Sequence, residues 1–209
     1  MAKASDARAG KAAAPAIEVR PLERTDWAVV EELFGERGAC GGCWCMLWRA
    51  PRGGRAFEEQ KGEPNRAAFR ALVEAGQVHG ILAFAAGRPV GWCSFGPAAS
   101  FPGLLRSRVL ARPRSAGTWS VTCFFIARGW RGRGVGTRLL QAAVARAFAL
   151  DAAEVEGFPA VPRSGGQLPG PFAWTGVPAL FEAAGFTAEP DPPGARPHYV
   201  RKAPRRRVR

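Results

Sequence analysis

The sequence lacks any apolar run of membrane-spanning length, and its first residues contain no hydrophobic core of a secretory signal peptide. We therefore expect no membrane association and a cytoplasmic location. The chain has 209 residues, of which 47% are hydrophobic and 22% are charged, as is ordinary for a soluble globule. A chain of this length suits one domain with a substantial core.

The sequence also lacks a paired set of metal ligands. Its five cysteines are Cys40, Cys43, Cys45, Cys93 and Cys123, and an odd number without a signal peptide indicates a reducing compartment and free thiols. The first three have metal-like spacing, but no second C-x-x-C pair or H-x-H sequence follows to complete a zinc site. The last two lie within apolar strand patterns, where a thiol packs as a small hydrophobic group. We predict no metal site.

Positive charge exceeds negative charge, with a formal net charge of +13, but much of the excess lies near the two ends. Residues 1–16 carry a net charge of +2, and residues 201–209 contain six basic and no acidic residues. We predict a disordered leader over residues 1–16 and a basic tail over residues 203–209. Such a tail is either solvated or attracts nucleic acid or another anionic surface.

The central stretch, residues 118–150, has the pattern of a buried strand followed directly by an amphipathic helix. From Trp119 to Ile126 nearly every residue is apolar or β-branched, which is typical of a strand covered on both faces. From Arg133 the apolar residues recur at spacings of three and four, which predicts a helix with one buried side. That side contains Val135, Leu139, Leu140, Ala143, Val144, Ala147 and Phe148.

Between this strand and helix lies the sequence Arg131-Gly-Arg-Gly-Val-Gly136. The first N–H groups of a helix lack intrahelical acceptors and lie at the positive end of the helix dipole, so a glycine-rich turn here suits a phosphate. Spacing excludes a P-loop, which needs Gly-Lys-Ser/Thr, and the dinucleotide fingerprint, whose last glycine would fall on Thr137. The remaining pattern is R-x-x-G-x-G, from Arg131 through Gly134 to Gly136. A tight connection with solvated arginines is the alternative.

The segment from Ile126 to Gly136 resembles the acyl-CoA-binding motif of the GNAT superfamily of N-acetyltransferases, in which a strand, an R-x-x-G-x-G-like loop and a helix follow one another. The resemblance implies acetyl-CoA as the acyl-donor cosubstrate. It also implies that the loop amides hold the pyrophosphate and that the end of the strand pairs its backbone with the pantetheine arm. The implied binding residues are Phe124, Phe125, Ile126, Arg131, Gly132, Arg133, Gly134, Val135, Gly136 and Thr137.

The order of the remaining patterns is similar to the GNAT fold. It predicts an α/β (α+β) domain over residues 17–202, with a mixed, mostly antiparallel sheet of six to seven strands flanked by helices. Strands are predicted at residues 17–21, 78–85, 90–95, 119–126, 154–158, 186–189 and 198–202. Besides the central helix, helices are predicted from an N-cap at Thr25 to residue 35, and at residues 66–75, 104–109 and 176–185.

Residues 38–55 contain the cysteine cluster together with large apolar side chains such as Trp44 and Trp48. A loop of this composition is expected to be covered. It is either a lid over the core or a wall of the acceptor pocket, which superfamily members usually build from the segment after the first helix. The tryptophans themselves either line that pocket or belong to the core.

The resemblance implies direct attack of a primary amine on the thioester in a ternary complex, with the carbonyl polarised by a backbone N–H at the end of the strand. A carboxylate or an ordered water then takes the amine proton. Glu156 is the first candidate, because it lies on the strand expected beside the acetyl group, and Glu154 shares its face. An ordinary structural carboxylate is the alternative interpretation of both.

The superfamily's usual proton donor is missing from its expected position. Many members carry Tyr in the last helix, within A-x-Tyr-E-x-x-G-F, and the matching stretch, residues 179–186, has Phe181 instead. The only tyrosine in the chain is Tyr199, so another group or water must serve, or the thiolate leaves unassisted. A non-catalytic CoA-binding or nucleic-acid-associated module therefore stays open beside the N-acetyltransferase. The acceptor, a small-molecule or protein amine, and assembly as a homodimer stay open as well.

Overall fold

The computed structural model describes residues 15–50, 55–110, 112–162, 173–192 and 195–204. Most of the leader predicted over residues 1–16 lies outside the described residues. Most of the basic tail over residues 203–209, predicted to be either solvated or attracted to nucleic acid, also lies outside them, as do residues 51–54 of the segment over residues 38–55.

Seven strands form one mixed sheet, in the order β1-β2-β3-β4-β5-β7-β6. All neighbouring strands are antiparallel except β4 and β5, which are parallel. The predicted mostly antiparallel sheet of six to seven strands is therefore confirmed. The strands are β1 (Ile17–Pro21), β2 (His79–Ala85), β3 (Arg88–Pro97), β4 (Thr118–Ile126), β5 (Glu154–Gly157), β6 (Thr187–Ala188) and β7 (Tyr199–Lys202).

Six helices flank the sheet among the described residues: α1 (Trp27–Phe34), α2 (Arg55–Glu59), α3 (Glu63–Glu74), α4 (Pro102–Arg106), α5 (Val135–Ala149) and α6 (Pro178–Ala183). Helix α5 covers one face, and six of its seven predicted apolar residues are buried there, Phe148 being half-buried. Helices α1 and α3 cover the other face, where Phe34 and Phe69 pack around Trp92 of β3. Both faces of β4 are thus covered, as its continuous apolar run predicted.

One predicted helix start is wrong. Helix α1 begins at Trp27 and follows Asp26, so Thr25 is not its N-cap. The Asp26 carboxylate does not cap the helix either, because it accepts hydrogen bonds from the Arg20 guanidinium at 2.6 and 2.7 Å and from the Glu23 N–H at 2.7 Å. This pairing ties the start of α1 to β1, a tertiary contact that local sequence does not show.

Strands β4 and β5 part after a short parallel pairing, which joins Thr118 through Val121 to β5. Beyond that point no described strand pairs with the β5 side of residues 123–126. One backbone group on this edge is nevertheless occupied, because the Phe124 N–H donates to the Trp174 carbonyl at 2.6 Å. The sheet therefore opens into a wedge directly before the loop that leads into α5.

Within the described residues, no helix is both long enough and apolar enough to cross a membrane.

Gly157, the last residue of β5, makes room for the fully buried ring of Phe181 in α6. A Cβ at Gly157 would lie 2.1 Å from Phe181 Cε1, a clash with a rigid ring inside the core. We expect Gly157→Ala to destabilise the protein by about 1–3 kcal/mol, the usual cost of overpacking. Urea unfolding measures this, with Gly129→Ala as the control, because a Cβ at Gly129 meets no atom within 4 Å. Equal stability of the two variants would contradict the packing.

Candidate functional site

A cavity of about 740 Å³ opens where β4 and β5 part. Its walls come from the end of β4, the loop before α5, the first turn of α5, helices α2 and α6, the cysteine-containing segment over residues 39–48 and residues 173–177. The two halves of the predicted motif, strand end and glycine loop, thus face one space. Segment 38–55, predicted to be a lid or a pocket wall, contributes to that space as well.

The loop before α5 leaves room for an anion at the N-terminus of the helix. Gly132 and Gly134 have φ angles of 72° and 77°, in the left-handed region that favours glycine, and a Cβ on either would meet no atom within 4 Å. Among the described residues, no acceptor is hydrogen-bonded to the N–H groups of Val135, Gly136 or Thr137. Free amides at the positive end of a 15-residue helix, with open space before them, fit a pyrophosphate.

Nine of the ten residues predicted to bind the cosubstrate line this cavity. The exception is Arg133, whose guanidinium lies over the Trp130 ring at 5.2 Å from its centroid. Arg131 does line the cavity, and its Nε donates to the Ile126 carbonyl at 3.1 Å. That bond ties the loop to the end of β4, so the predicted phosphate loop and the predicted pantetheine strand are held together as one unit.

Glu156 lies in a buried network. Its Oε1 accepts hydrogen bonds from Arg114 Nε and Ser120 Oγ, both at 2.6 Å, and its Oε2 lies 3.1 Å from His198 Nε2. Burial raises the pKa of the Glu156 carboxyl, but the hydrogen bonds from His198 and Ser120 and the charge of Arg114 outweigh burial, so the pKa is lowered overall. An ionised carboxylate held by three partners is what this arrangement stabilises.

Glu154, two residues earlier on β5, is half-buried and accepts a hydrogen bond from Thr118 Oγ1 at 2.7 Å. Neither Glu154 nor Glu156 is among the residues that line the cavity. Both predicted bases thus lie on one strand, two residues apart, as the sequence predicted. Neither lies at the cavity that the motif helps to form.

Phe181 and Tyr199 also lie away from the cavity surface. Phe181 is fully buried between Phe124, Phe186 and Tyr199. The Tyr199 hydroxyl donates to Glu182 at 2.9 Å, and burial together with that carboxylate raises the Tyr199 pKa. No tyrosine therefore stands at the cavity in the described part of the chain.

Thiols line the cavity instead. Four of the five cysteines contribute to its walls: Cys40, Cys43 and Cys45 from the segment after α1, and Cys123 from β4. The sequence pattern assigned Cys123 to core packing, although it directly precedes the strand end expected to face the cosubstrate. Among the described residues no group of three or more possible metal ligands occurs.

The tryptophans divide between the two predicted roles. Trp48, Trp130 and Trp174 line the cavity, the rings of Trp48 and Trp174 having centroids 5.9 Å apart. The other four, Trp27, Trp44, Trp92 and Trp119, are buried in the core. Three charged residues line the cavity in the described part of the chain: Glu58 and Lys61, whose side chains are paired at 2.6 Å, and Arg131. The wall opposite the glycine loop is therefore mainly apolar and aromatic.

The comparisons with known proteins agree with this architecture. The model of the Acetyltransferase (GNAT) family matches residues 44–160, more than half of the chain. No curated protein gives a significant match to the sequence.

Three solved structures illustrate the likeness in fold. The PaiA N-acetyltransferase of Thermoplasma acidophilum, in complex with coenzyme A, is 16% identical, with a TM-score of 0.51 over 90% of this chain and 99% of that one. The ribosomal-protein-alanine N-acetyltransferase of Brucella melitensis is 14% identical, with a TM-score of 0.53 over 89% and 99%. A phosphinothricin acetyltransferase of Sinorhizobium meliloti, in complex with acetyl-CoA, is 17% identical, with a TM-score of 0.51 over 89% and 88%.

Proposed function

Because the chain belongs to the GNAT acetyltransferase family, we propose that it transfers an acetyl group from acetyl-CoA to a primary amine. One observation carries the proposal: a single cavity joins the free amides at the start of α5 to the edge that β4 exposes where it parts from β5. Neighbours in fold that were solved with coenzyme A or acetyl-CoA support the choice of cosubstrate.

In the proposed binding mode, the amides of residues 132–137 hold the pyrophosphate and Arg131 adds positive charge. The backbone of residues 124–126 orients the pantetheine arm, and a backbone N–H at this edge polarises the thioester carbonyl. Bound acetyl-CoA supplies the activated acetyl group. The apolar walls exclude water from the reacting carbonyl.

The proposed route is direct attack by the amine in a ternary complex. Glu156 and Glu154 stay predictions for the group that takes the amine proton, although neither lines the cavity. Glu156→Gln and Glu154→Gln each remove the charge while keeping the shape of the side chain. A carboxylate that acts as the base would show as a fall in kcat in a variant that stays folded.

The cavity wall favours an acceptor amine with an apolar or aromatic body. Trp48, Trp174 and Phe57 offer ring faces, and among the described lining residues Glu58 supplies a carboxylate. Both acceptor classes, small molecules and protein amines, stay within the proposal. Solved structures with a similar fold include a phosphinothricin acetyltransferase and a ribosomal-protein-alanine N-acetyltransferase.

We expect purified protein to release free thiol from acetyl-CoA when a suitable amine is present. The panel contains aromatic amines, polyamines, aminoglycosides and peptides with a free N-terminus, and product mass identifies the acetylated nitrogen. Reactions without amine give the background of thioester hydrolysis. Tight binding of acetyl-CoA without transfer to any acceptor class would contradict the enzyme and support a non-catalytic CoA-binding module.

A further inference from the structure

Arg49 is a buried cation without a carboxylate partner. It is 8% exposed, its Nη2 donates to Ser94 Oγ at 3.2 Å, and its guanidinium lies over the Phe101 ring, 4.6 Å from the centroid. Every acidic side chain except that of Asp6 belongs to the described part of the chain, and none of the ion pairs there includes Arg49. Burial lowers the Arg49 pKa to about 10, so the group still carries its charge at neutral pH. No opposite charge offsets the cost of removing this cation from water.

The buried carboxylates of the described residues are paired with other arginines. Asp26 is paired with Arg20, and Glu156 with Arg114, both at 2.6 Å. Each of these two pairs brings its own counter-ion from within the fold. Arg49 differs from both arginines because its counter-ion has to come from outside the described chain.

Two consecutive residues have buried N–H groups without an acceptor. Trp48 Nε1 and Arg49 Nε are both buried, and neither has a hydrogen-bond partner among the described residues. An indole and a guanidinium have N–H donors only and cannot accept a hydrogen bond. Buried donors of this kind are costly to leave unpaired. A carboxylate, which accepts hydrogen bonds and has none to donate, is the complementary group.

These donors lie next to the cavity. Trp48 lines it, with its ring centroid 5.9 Å from that of Trp174. Ser94, which accepts from Arg49, lies opposite Cys123 on β4, and Cys123 belongs to the cavity wall. Directly opposite residues of antiparallel strands are about 5 Å apart and share a face of the sheet. Arg49 does not itself line the cavity, and its guanidinium therefore lies just behind this wall.

The surroundings of the two donors are fixed by hydrogen bonds. Ser94 Oγ also accepts a hydrogen bond from Thr122 Oγ1 at 3.2 Å, so the hydroxyl that holds Arg49 is itself held by β4. The Trp48 carbonyl accepts from the Gly103 N–H at 2.9 Å, and a Cβ at Gly103 would lie 2.9 Å from Trp48 Cα. Helix α4 thus packs directly on the backbone of this segment. Donors that are already held in place bind an anion with little further loss of conformational entropy.

We propose that Arg49 binds the carboxylate of the acceptor, so that the substrate is an amino acid or another amine that carries a carboxyl group. The proposal rests on the proposed function and names its class of acceptor. The guanidinium forms charge-assisted hydrogen bonds with the carboxylate, and the Trp48 indole N–H donates to the same group. The carboxylate enters past the Trp48 ring, and the amine stays in the cavity, toward the end of β4.

The first test separates this role from a purely structural one. Arg49→Met keeps an apolar side chain and removes the charge, so the variant without ligand should be at least as stable as wild type in urea unfolding. Arg114→Met is the comparison, because it leaves the buried Glu156 carboxylate without its cation and should be strongly destabilised. A loss of stability in Arg49→Met as large as that in Arg114→Met would assign Arg49 to the fold and overturn the proposal.

The second test measures binding without turnover. Benzoate, phenylacetate and 3-phenylpropionate each have a ring and a carboxylate but no amine, and their carboxamides are the neutral counterparts. By calorimetry, wild-type protein should bind at least one carboxylate about 10-fold or more tightly than its carboxamide, and Arg49→Met should lose this preference. Arg106→Met is the matched control, because it removes the same charge from α4, where Arg106 Nη2 donates to the Ala50 carbonyl at 3.0 Å. Arg106→Met should keep the preference.

Two results of this calorimetry would overturn the carboxylate site. One is wild-type protein without any preference for the carboxylates. The other is a preference that persists in Arg49→Met. Tighter binding of the matching phosphonates would overturn the carboxylate in favour of a phosphorus oxyanion.

The third test is kinetic and uses amines in matched pairs. Phenylalanine is compared with phenylalanine amide, and 4-(aminomethyl)benzoate with its carboxamide. Wild-type protein should show a kcat/KM about 10- to 150-fold higher for the carboxylates, as expected for hydrogen bonds to a charged group. Arg49→Met should remove this advantage through a higher KM for the acceptor, with the KM for acetyl-CoA unchanged. Arg106→Met should retain it.

Failure of the carboxylate site and failure of the proposed function give different results. If wild-type protein acetylates amines without any advantage from a carboxyl group, the carboxylate site is overturned and the proposed function stands. If wild-type protein acetylates no amine, but its preference for carboxylates in calorimetry depends on Arg49, the proposed function is overturned and the binding site stands.

Discussion

Gly136→Asp is expected to abolish measurable binding of coenzyme A. Gly136 lies in the first turn of α5, lines the cavity and has a free N–H at the predicted pyrophosphate site. Two like charges about 4 Å apart repel by roughly 4 kcal/mol at an effective dielectric constant of 20, or about 1,000-fold in dissociation constant. Calorimetric titration with coenzyme A measures the loss.

The variant should remain folded, which separates loss of binding from loss of structure. A Cβ at Gly136 makes only ordinary contacts, the nearest at 3.5 Å to Ile126, and a carboxylate near a helix N-terminus is favourable for the helix. Gly129→Asp is the matched control, because Gly129 precedes the same loop without lining the cavity. Full binding by Gly136→Asp would refute the assignment of the loop to phosphate.

Glu156→Gln should cost about 3–5 kcal/mol of stability near neutral pH. The Arg114 guanidinium and the Glu156 carboxylate are both almost completely buried, so removing the negative charge leaves a buried cation without its counter-ion. The folded-state pKa of Glu156 is lowered, so its stabilisation is complete above the ordinary carboxyl pKa and is lost as pH falls through the folded value. The gap between wild type and variant should therefore narrow in acid, as followed by urea unfolding at several pH values.

Glu154→Gln is the control for this measurement. Glu154 is only half-buried and has one hydroxyl partner, so its loss should cost no more than about 0.5–1.5 kcal/mol. The double variant Arg114→Met, Glu156→Leu should recover much of the stability, because a buried ion pair replaced by apolar groups of similar size is often neutral. Equal stability of Glu156→Gln and Glu154→Gln would contradict the buried pair.

The strand, loop and helix over residues 118–150 could be predicted from sequence because their signals are local. A continuous apolar run, a glycine-rich turn and a period of three to four each lie within a few residues. The order of the predicted strands and helices then indicated the fold of the whole domain. The bounds shifted where a tertiary contact intervened, as at Asp26, whose side chain pairs with Arg20 and does not cap α1.

The chemistry at the cavity could not be read in the same way. The spacing of two residues predicted that Glu154 and Glu156 share one face of a strand. The sequence did not show that Arg114, 42 residues earlier in the chain, pairs with Glu156. The apolar run of β4 gives no sign of where β5 separates from it, because the run continues unchanged to Ile126. The position of Cys45 at the same cavity as Cys123 likewise depends on how the segment after α1 folds back over the sheet. Contacts between residues far apart in the sequence depend on tertiary packing, and the spacing of residues along the chain does not predict them.

The hydrogen bond between the Phe124 N–H and the Trp174 carbonyl has an energetic consequence for any ligand that pairs with this edge of β4. One N–H donates at full strength to one acceptor, so an incoming pantetheine amide gains this bond only by replacing an existing one. At this position the binding free energy therefore contains only the difference between the new bond to the cosubstrate and the lost bond to Trp174. The cost of moving residues 173–176 reduces it further. We therefore expect tight binding to come mainly from the amides of Val135, Gly136 and Thr137 at the start of α5, which have no hydrogen-bond acceptor among the described residues.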